Sequence, residues 1–392
     1  MAKNSPGTSI SRREQILDAA FSIARRNVSW SMRDVAWEVG VSKPALYRHY
    51  TSRADLEQAM ESRVLELLLS SIESARENTE SIRTAMVRDL RAHPDYFMFF
   101  ARNLITVESF HERVLAYLIE NSRQIGDFFS RLRQESPEVL QRKTLAIQKN
   151  AITILLAGYD SPMIREFQDE LLRRNEEGFP ELALPPEVRL DELDEIPLQS
   201  ETGENVKLFE AISRAIQAQG IGNVTIEKIA EEMGTAKSSL YFYYDNKQAM
   251  LSELVTHESD VFLSVLSEHV KWGKTTEEQL YLAMIAHTQY LLNKPGIIPV
   301  FNWIRYEMVT HHHEVSHPDV HNNALRDTFD FSWIKSRTSN EALEALSIVK
   351  WAMILSSGCT IREHESGKSK EDILKSIRSM YKLILFGDKE LL

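Results

Sequence analysis

The sequence predicts an all-α fold in which one helical unit occurs twice in tandem. Two segments repeat each other: Gly40-Val-Ser-Lys-Pro-Ala-Leu-Tyr47 and Gly234-Thr-Ala-Lys-Ser-Ser-Leu-Tyr241 share Gly, Lys and Leu-Tyr at the same places. Their tyrosines lie 194 positions apart in a chain of 392 residues, close to half its length. Each copy also has the local pattern of a helix-turn-helix. A repeat of this size indicates a fused duplication of one complete unit.

The first copy contains the signals that start and stop two short helices. Ser31 is placed to cap the first helix, and Val35 and Val39 give that helix an apolar side. Gly40 supplies a tight turn, and Ser42 is placed to cap the next helix. The pattern therefore predicts a helix-turn-helix in which Leu46 and Tyr50 face inward and the residues around them face outward.

The second copy follows the same plan with one weaker cap. Thr225 is the expected cap, Ile229 and Met233 lie on the apolar side, and Gly234 makes the turn. Ala236 stands where the first copy has Ser42, so the capping hydroxyl is lost. We expect the same local fold with a changed surface.

The repeat continues more faintly beyond these segments. Leu145–Gly158 (LAIQKNAITILLAG) parallels Ala345–Gly358 (ALSIVKWAMILSSG). Between the halves, residues 176–203 are acidic and contain four prolines, a composition that helices tolerate badly. The run Asp191–Glu195 is expected to be a solvated connector that lets the two halves dock within one chain.

The chain resembles the tetracycline-repressor (TetR/AcrR) family of transcriptional regulators at the repeated residues. The match runs from about Arg12 to Leu56 and again from about Val206 to Leu254. The resemblance implies, in each half, a three-helix DNA-binding head followed by an all-helical body that dimerises and holds a small-molecule pocket. The expected domains are 9–55 and 204–249 for the heads, 56–175 and 250–392 for the bodies, and 176–203 for the linker.

The resemblance implies that the first head contacts DNA through two sets of side chains. Arg48 is physically the best reader, because its guanidinium matches the two acceptors of guanine. The expected phosphate contacts are Ser42, Tyr47 and Arg53, with Arg33 reaching backbone or base, and the residues facing base edges are Lys43, Pro44, Ala45, Arg48 and His49.

The second head departs from this pattern. Phe242 and Tyr243 stand where the first head has Arg48 and His49, which exchanges hydrogen-bond donors for rings. This head either reads a different half-site or is a non-specific clamp. Its expected DNA contacts are Lys237, Ser238, Ser239, Tyr241, Phe242, Tyr243 and Lys247.

These features predict a ligand-responsive regulator that binds double-stranded DNA, with repression as the usual outcome in the family. Two unequal fused heads favour an intramolecular pseudo-dimer on an asymmetric operator, in which helices near 145–158 and 163–174 pack on 345–358 and 371–386. In the alternative, the second unit only dimerises or senses a ligand, and two chains act through the first head. Further association of pseudo-dimers stays open.

Large apolar side chains suggest a hydrophobic or aromatic effector rather than a sugar or a phosphate, although ordinary core packing explains the same residues. No cofactor is expected. The candidate pocket residues are Tyr96, Phe97, Phe100 and Phe110 in the first body, and Phe301, Trp303, Tyr306, Trp333 and Trp351 in the second.

The composition limits the other function classes. The net charge of −11 does not exclude DNA binding, because phosphate attraction is local and basic residues concentrate in the first head. With one cysteine, Cys359, the chain cannot form an internal disulfide. No catalytic motif appears, so an enzyme is not expected. Without a signal peptide or a membrane-spanning run, the cytoplasm is the expected location.

A histidine cluster gives a weak alternative signal. His313, His317 and His321 are four residues apart, as metal ligands on one helical face would be. Pro318 interrupts that helix, so we expect no metal site and only solvated histidines in a polar loop.

Overall fold

In the computed structural model the described residues form helices joined by turns and loops, and no strand occurs among them. Those residues are 11–26, 30–78, 80–107, 109–158, 162–198, 206–220, 223–294, 296–300, 328–329 and 341–388. Within them the chain divides into two compact units, residues 11–127 and residues 128–388. The predicted all-α class is therefore confirmed.

The first unit contains a small head and a bundle that packs against it. The head is closed by Ile16, Phe21, Leu46 and Tyr50, all fully or almost fully buried. The helices in chain order are α1 (Arg12–Arg26), α2 (Met32–Val39), α3 (Lys43–Tyr47), α4 (Arg53–Glu77), α5 (Ile82–Ala92), α6 (Pro94–Thr106) and α7 (Phe110–Asn121).

Aromatic side chains join α6 to the head. The ring centroids of Phe21 and Tyr96 are 4.0 Å apart, and those of Phe21 and Phe99 are 5.4 Å apart. An ion pair at 3.0 Å links Arg25 of α1 to Asp95 of α6. Because α6 belongs to the bundle, these contacts couple the bundle to the head within this unit.

The second unit contains helices from both halves of the sequence. Its helical core is extensive, and the helix Thr276–Asn293 alone buries nine apolar or aromatic side chains. After α8 (Arg123–Leu132), the helices are α9 (Pro137–Gly158), α10 (Pro162–Glu177), α11 (Glu187–Asp194), α12 (Val206–Gln219), α13 (Ile226–Glu232), α14 (Lys237–Tyr243), α15 (Lys247–Val270), α16 (Thr276–Asn293), α17 (Glu341–Glu365) and α18 (Lys370–Phe386).

Helices α9 and α10 pack against α17 and α18. We call this four-helix contact the junction. At its centre the two chain segments after α10 and α18 exchange equivalent hydrogen bonds. The Phe179 N–H donates to the Leu385 carbonyl at 2.8 Å, and the Asp388 N–H donates to the Glu176 carbonyl at 3.1 Å. Such a reciprocal exchange is the mark of two segments related by a local twofold axis.

Two glycines allow this close approach. Gly178 has φ 72° and Gly387 has φ 71°, a left-handed conformation that side chains disfavour. A Cβ atom on Gly178 would overlap the Leu385 carbonyl, and a Cβ atom on Gly387 would overlap the Glu176 carbonyl. The two backbones therefore touch where no side chain fits.

The structure corrects the interpretation of the acidic run as a solvated connector. Residues 187–194 form α11, and Leu190 and Leu193 are fully buried. Arg378 of α18 bonds Asp191 at 2.7 Å and also pairs with Asp194. The expectation was wrong because it counted the carboxylates and overlooked two leucines three residues apart, which share one helical face and pack in the core.

Candidate nucleic-acid interface

The first head has the helix-turn-helix geometry that its sequence predicts. Ser31 and Asp34 cap α2 reciprocally, and the hydrogen bonds from Ser31 lower the pKa of Asp34. Gly40 turns the chain with φ 71°, and the Ser42 hydroxyl accepts from the Ala45 N–H at 3.3 Å to start α3. With Leu46 buried, the remaining face of α3 is directed to solvent.

The surface of the first head carries three cations, one on α2 and two at the start and end of α3. In the described part of the chain, Arg33, Lys43 and Arg48 are exposed and no ion pair engages them. The Lys43 ammonium lies 5.8 Å from the centroid of the Tyr47 ring. These groups are available to an anionic partner such as a phosphate backbone. Pro44 is exposed beside them, while Ala45 and His49 are half-buried.

Sequence reasoning missed Trp37. Its side chain is 84% exposed on α2, one helical turn after Arg33. A tryptophan this exposed next to three free cations indicates a binding surface, because its indole offers both an apolar face and an N–H donor. The available sequence signal was its spacing of four residues from Arg33, which places both on one face of α2.

Arg53 has a structural role that the sequence did not reveal. Its guanidinium donates to the Trp30 carbonyl at 2.7 Å, pairs with Glu57 at 2.9 Å and stacks 4.5 Å from the Trp30 ring. These contacts fix the start of α4 against the head. A phosphate contact from Arg53 would therefore be made by a side chain that is already held in place.

The second head has the same backbone plan. Thr225 caps α13 by accepting from the Lys228 N–H, and Gly234 turns the chain with φ 66°. Ala236 provides no side-chain cap for α14, as expected. Leu240 is buried where the first head buries Leu46. The two helix-turn-helix segments therefore differ in their surfaces rather than in their framework.

The charges on the second head are reversed or neutralised. Counting from the turn glycines, Glu227 occupies the place of Arg33, and Glu231 occupies the place of Trp37. Lys237 pairs with Glu227, and this hydrogen bond raises the pKa of Lys237. Lys228 and Arg214 are also paired, at 3.1 Å with Glu231 and at 3.2 Å with Glu232 respectively. A phosphate would meet fewer free cations here than on the first head.

On α14, exposed aromatic rings stand where the first head has Arg48 and His49. Phe242 is 83% exposed and Tyr243 72% exposed, with ring centroids 5.3 Å apart. Tyr241 is exposed, with the Lys237 ammonium 5.2 Å from its ring centroid, and this repeats the contact of Lys43 with Tyr47. The remaining candidates on this head are Ser238 and Ser239, which are exposed, and Lys247, which is half-buried.

The candidate pocket residues lie in the first unit, at the junction or outside the described residues. Phe97, Phe100 and Phe110 are buried in the first unit, where Phe100 and Phe110 contact edge to face at 5.7 Å. Tyr96 is half-buried and donates to Asp18 at 3.1 Å. Trp351 is buried at the junction and donates to the Thr153 hydroxyl at 3.0 Å. Phe301, Trp303, Tyr306 and Trp333 lie outside the described residues.

The described residues contain neither a cluster of metal-ligating side chains nor a helix that could cross a membrane. Residues 311–321, which contain the histidine cluster, lie outside the described part of the chain. The residues that are described contain no group of three or more His, Cys, Asp or Glu side chains arranged to hold a metal ion. None of the described helices has the length and apolar content needed to cross a membrane.

Comparisons with known proteins locate the same two segments. Residues 16–60 and 208–254 each match the model of a family described as bacterial regulatory proteins, tetR family. The fatty acid metabolism regulator protein of Bacillus subtilis (strain 168) is 27% identical over 86 residues, which are 22% of this chain. The match spans 44% of that relative, less than half its length.

Solved structures of similar chains cover about half of this one. The fatty acid degradation regulator FadR from Bacillus halodurans aligns with 15% identity and a TM-score of 0.35, over 47% of this chain and 97% of its own. FadR from Bacillus subtilis, in complex with stearoyl-CoA, aligns with 17% identity and a TM-score of 0.35, over 47% of this chain and 99% of its own.

Proposed function

We propose that the two segments that match the tetR family are the DNA-binding heads of one chain, which acts as a ligand-responsive repressor of transcription. The two repeated halves of the chain pair with each other and place two unequal heads on an asymmetric operator. Because the matched family consists of regulatory proteins, the chain is not an enzyme. This role places the protein in the compartment that holds the DNA, the cytoplasm of a bacterial cell.

The observation that carries the proposal is the reciprocal contact at the junction. Phe179 donates to Leu385 and Asp388 donates to Glu176. The two donors and the two acceptors are separated by the same number of residues, 388 − 179 = 209 and 385 − 176 = 209. An isologous contact uses the same patch twice, once from each partner. Here both patches belong to one chain, so the surface that would join two subunits is already occupied.

The unequal charges on the two heads support an asymmetric operator. The first head presents Arg33, Lys43 and Arg48, whereas on the second Lys237 is held by Glu227. Arg48 can pair with the two acceptors of a guanine, while Phe242 and Tyr243 can contact thymine methyl groups. The two half-sites then differ in sequence, and most of the electrostatic affinity comes from the first.

An apolar effector is part of the same proposal. A ligand among the aromatic side chains of the first unit would displace α6, and α6 is fastened to α1 by the Phe21–Tyr96 contact and the Arg25–Asp95 ion pair. Movement of α6 would thus reach the DNA-binding head. Fatty acyl compounds are the first effectors to test, since the curated relative is named a fatty acid metabolism regulator.

One observation favours the alternative, in which the second half of the chain no longer binds DNA specifically. Glu227 and Glu231 place carboxylates where the first head has Arg33 and Trp37, and carboxylates repel phosphates. Under this alternative the first head alone reads the operator, and two chains are needed to read a palindrome.

Selection of binding sites from random duplex DNA, at a fixed salt concentration, tests the proposal. Two different half-sites in the enriched sequences support it, whereas a palindrome favours two chains that each use the first head. No enrichment with or without a fatty acyl compound contradicts both. Tyr47→Phe and Tyr241→Phe are matched variants: comparable losses of affinity indicate two working heads, and a loss only from Tyr47→Phe favours the alternative.

A further inference from the structure

A fully buried ion pair joins the two halves of the sequence at the junction. The Lys149 ammonium of α9 and the Asp388 carboxylate after α18 are 3.2 Å apart, and both side chains are fully buried. Lys149 also donates to the carbonyls of Asn175 at 2.6 Å and Leu383 at 3.1 Å. The charge is therefore enclosed by groups from both halves of the sequence.

Further polar side chains extend this network. Asn150 donates to Asp388 at 2.6 Å and accepts from the Asn175 amide at 2.6 Å. The Thr153 hydroxyl lies 2.9 Å from Asn175 Oδ1 and accepts from the Trp351 indole at 3.0 Å. Buried polar groups with these partners are satisfied, and they become costly when a partner is removed.

At the matching positions across the local twofold axis, two apolar side chains stand in place of the ion pair. The repeat aligns Lys149 with Val349, and the reciprocal hydrogen bonds align Asp388 with Phe179. Val349 and Phe179 are both buried, and the Phe179 ring lies 6.5 Å from Trp351 of α17. The Arg174 guanidinium stacks on the Phe179 ring at 4.7 Å.

We infer that the Lys149–Asp388 pair makes a first half join a second half and not another first half. Two first halves would bury Lys149 against Phe179 of the other copy, with no carboxylate in the place of Asp388. Burying a charge without its partner strongly disfavours this arrangement. Two second halves are not excluded in the same way, because the repeat places Lys350 where Asn150 donates to Asp388. This inference rests on the intramolecular pairing proposed above.

The test must cut the chain segment that joins the two halves. While they are joined, each half is at a high effective concentration for the other, and this hides any preference of the interface. A site for a specific protease is inserted between residues 199 and 205 of the full-length protein, and the folded protein is cut there. The cut protein is then incubated in urea below its unfolding transition and its species are weighed by native mass spectrometry. The two fragments differ in mass, so mixed and like pairs are distinguished.

The variants predict different outcomes. The cut wild type gives only the mixed pair. Lys149→Val makes pairs of first halves appear, because the change copies Val349 and removes the charge that would lack a partner. Lys149→Val/Asp388→Phe, which also removes the unpaired carboxylate from the mixed pair, likewise gives pairs of first halves. The control Lys375→Ala/Glu371→Ala removes an exposed ion pair of 2.7 Å on α18 and gives only the mixed pair.

Two results overturn the inference: pairs of first halves in the cut wild type, or only the mixed pair in the double variant. A failure of the underlying proposal is seen separately in the uncut protein, which would then contain two chains. If the uncut wild type is a single chain and the double variant still forms only the mixed pair, the ion pair has no role in choosing partners and the proposed function stands.

Discussion

Gly178 and Gly387 lie against each other's backbone, each in a left-handed conformation and each where a Cβ atom would overlap a carbonyl of the other segment. The first glycine ends the last long helix of the first half, and the second ends that of the second half. Their equivalence links the duplication in the sequence to a local twofold axis in the structure.

Alanine at either glycine should therefore destabilise the second unit. The left-handed conformation costs about 1–2 kcal/mol for a residue with a Cβ atom, and the overlap adds about 1–3 kcal/mol. We expect Gly178→Ala and Gly387→Ala to lower the free energy of unfolding in urea by about 2–5 kcal/mol. Gly367→Ala is the matched control, since Gly367 has φ 74° and open space around it. Equal losses at all three glycines would show that the junction is not closely packed.

The reversed charge at Glu227 gives a prediction in which binding improves. Glu227→Arg restores the cation that the first head has at Arg33 and frees Lys237 from its ion pair. If the second head lies on DNA, affinity should rise and the salt dependence should steepen by about 0.9 for each phosphate newly contacted. Titrations of the selected operator at several salt concentrations measure both. Glu268→Arg is the control, because it makes the same charge change at an exposed site on α15. Identical curves for Glu227→Arg and Glu268→Arg would place the second head away from DNA.

Helix α11 should behave as part of the core. Leu190→Ala and Leu193→Ala each remove a fully buried side chain and should cost about 2–5 kcal/mol of unfolding free energy. Val188→Ala on the same helix is the control, since Val188 is 71% exposed and should change stability by less than about 0.5 kcal/mol. A urea titration that cannot separate the leucine variants from Val188→Ala would mean that the segment is a solvated connector after all.

Acid should destabilise the second unit through two histidines. Burial lowers the pKa of His269 to about 4, and burial likewise lowers that of His287 to about 4, partly opposed by its bond to the Met353 carbonyl. Between pH 6.5 and 4 the unfolded chain binds these protons and the folded chain does not, so stability is present above pH 6.5 and is lost as the pH falls. Each histidine accounts for up to about 3 kcal/mol.

His269→Leu checks this pH dependence. Its ring nitrogen Nε2 is buried without a hydrogen-bond partner among the described residues, so the substitution removes an ionisable group without breaking a bond there. Urea unfolding at pH 7 and pH 5 should show a smaller loss of stability in the variant than in the wild type. The same loss in both proteins would mean that His269 does not contribute.

The helix-turn-helix segments could be predicted from sequence because their determinants are local. Caps at Ser31, Ser42 and Thr225, and turns at Gly40 and Gly234, depend on residues within a few positions of one another. The repeat also pointed to contact between the segments 145–158 and 345–358, and helices α9 and α17 do pack together.

The rest of the site depends on contacts that sequence patterns do not reveal. Arg53 looked like a free cation, but its partner is a backbone carbonyl at Trp30. The partner of Lys149 is Asp388, far away in sequence and brought near only by the packing of the junction. Glu227 is evident from the sequence, but the ion pair by which it neutralises Lys237 is seen only in the structure. Asp194 looked solvated because its partners, Arg378 and Tyr281, are supplied by distant helices.

The central claim is that one chain is a complete regulator, and the mass of its complex with the selected operator tests it most directly. Light scattering on the free protein and on the complex gives the number of chains in each. The account predicts a single chain of 45.1 kDa in both, with one duplex bound in the complex. Two chains on one operator, or a stable two-chain species in the absence of DNA, would contradict it.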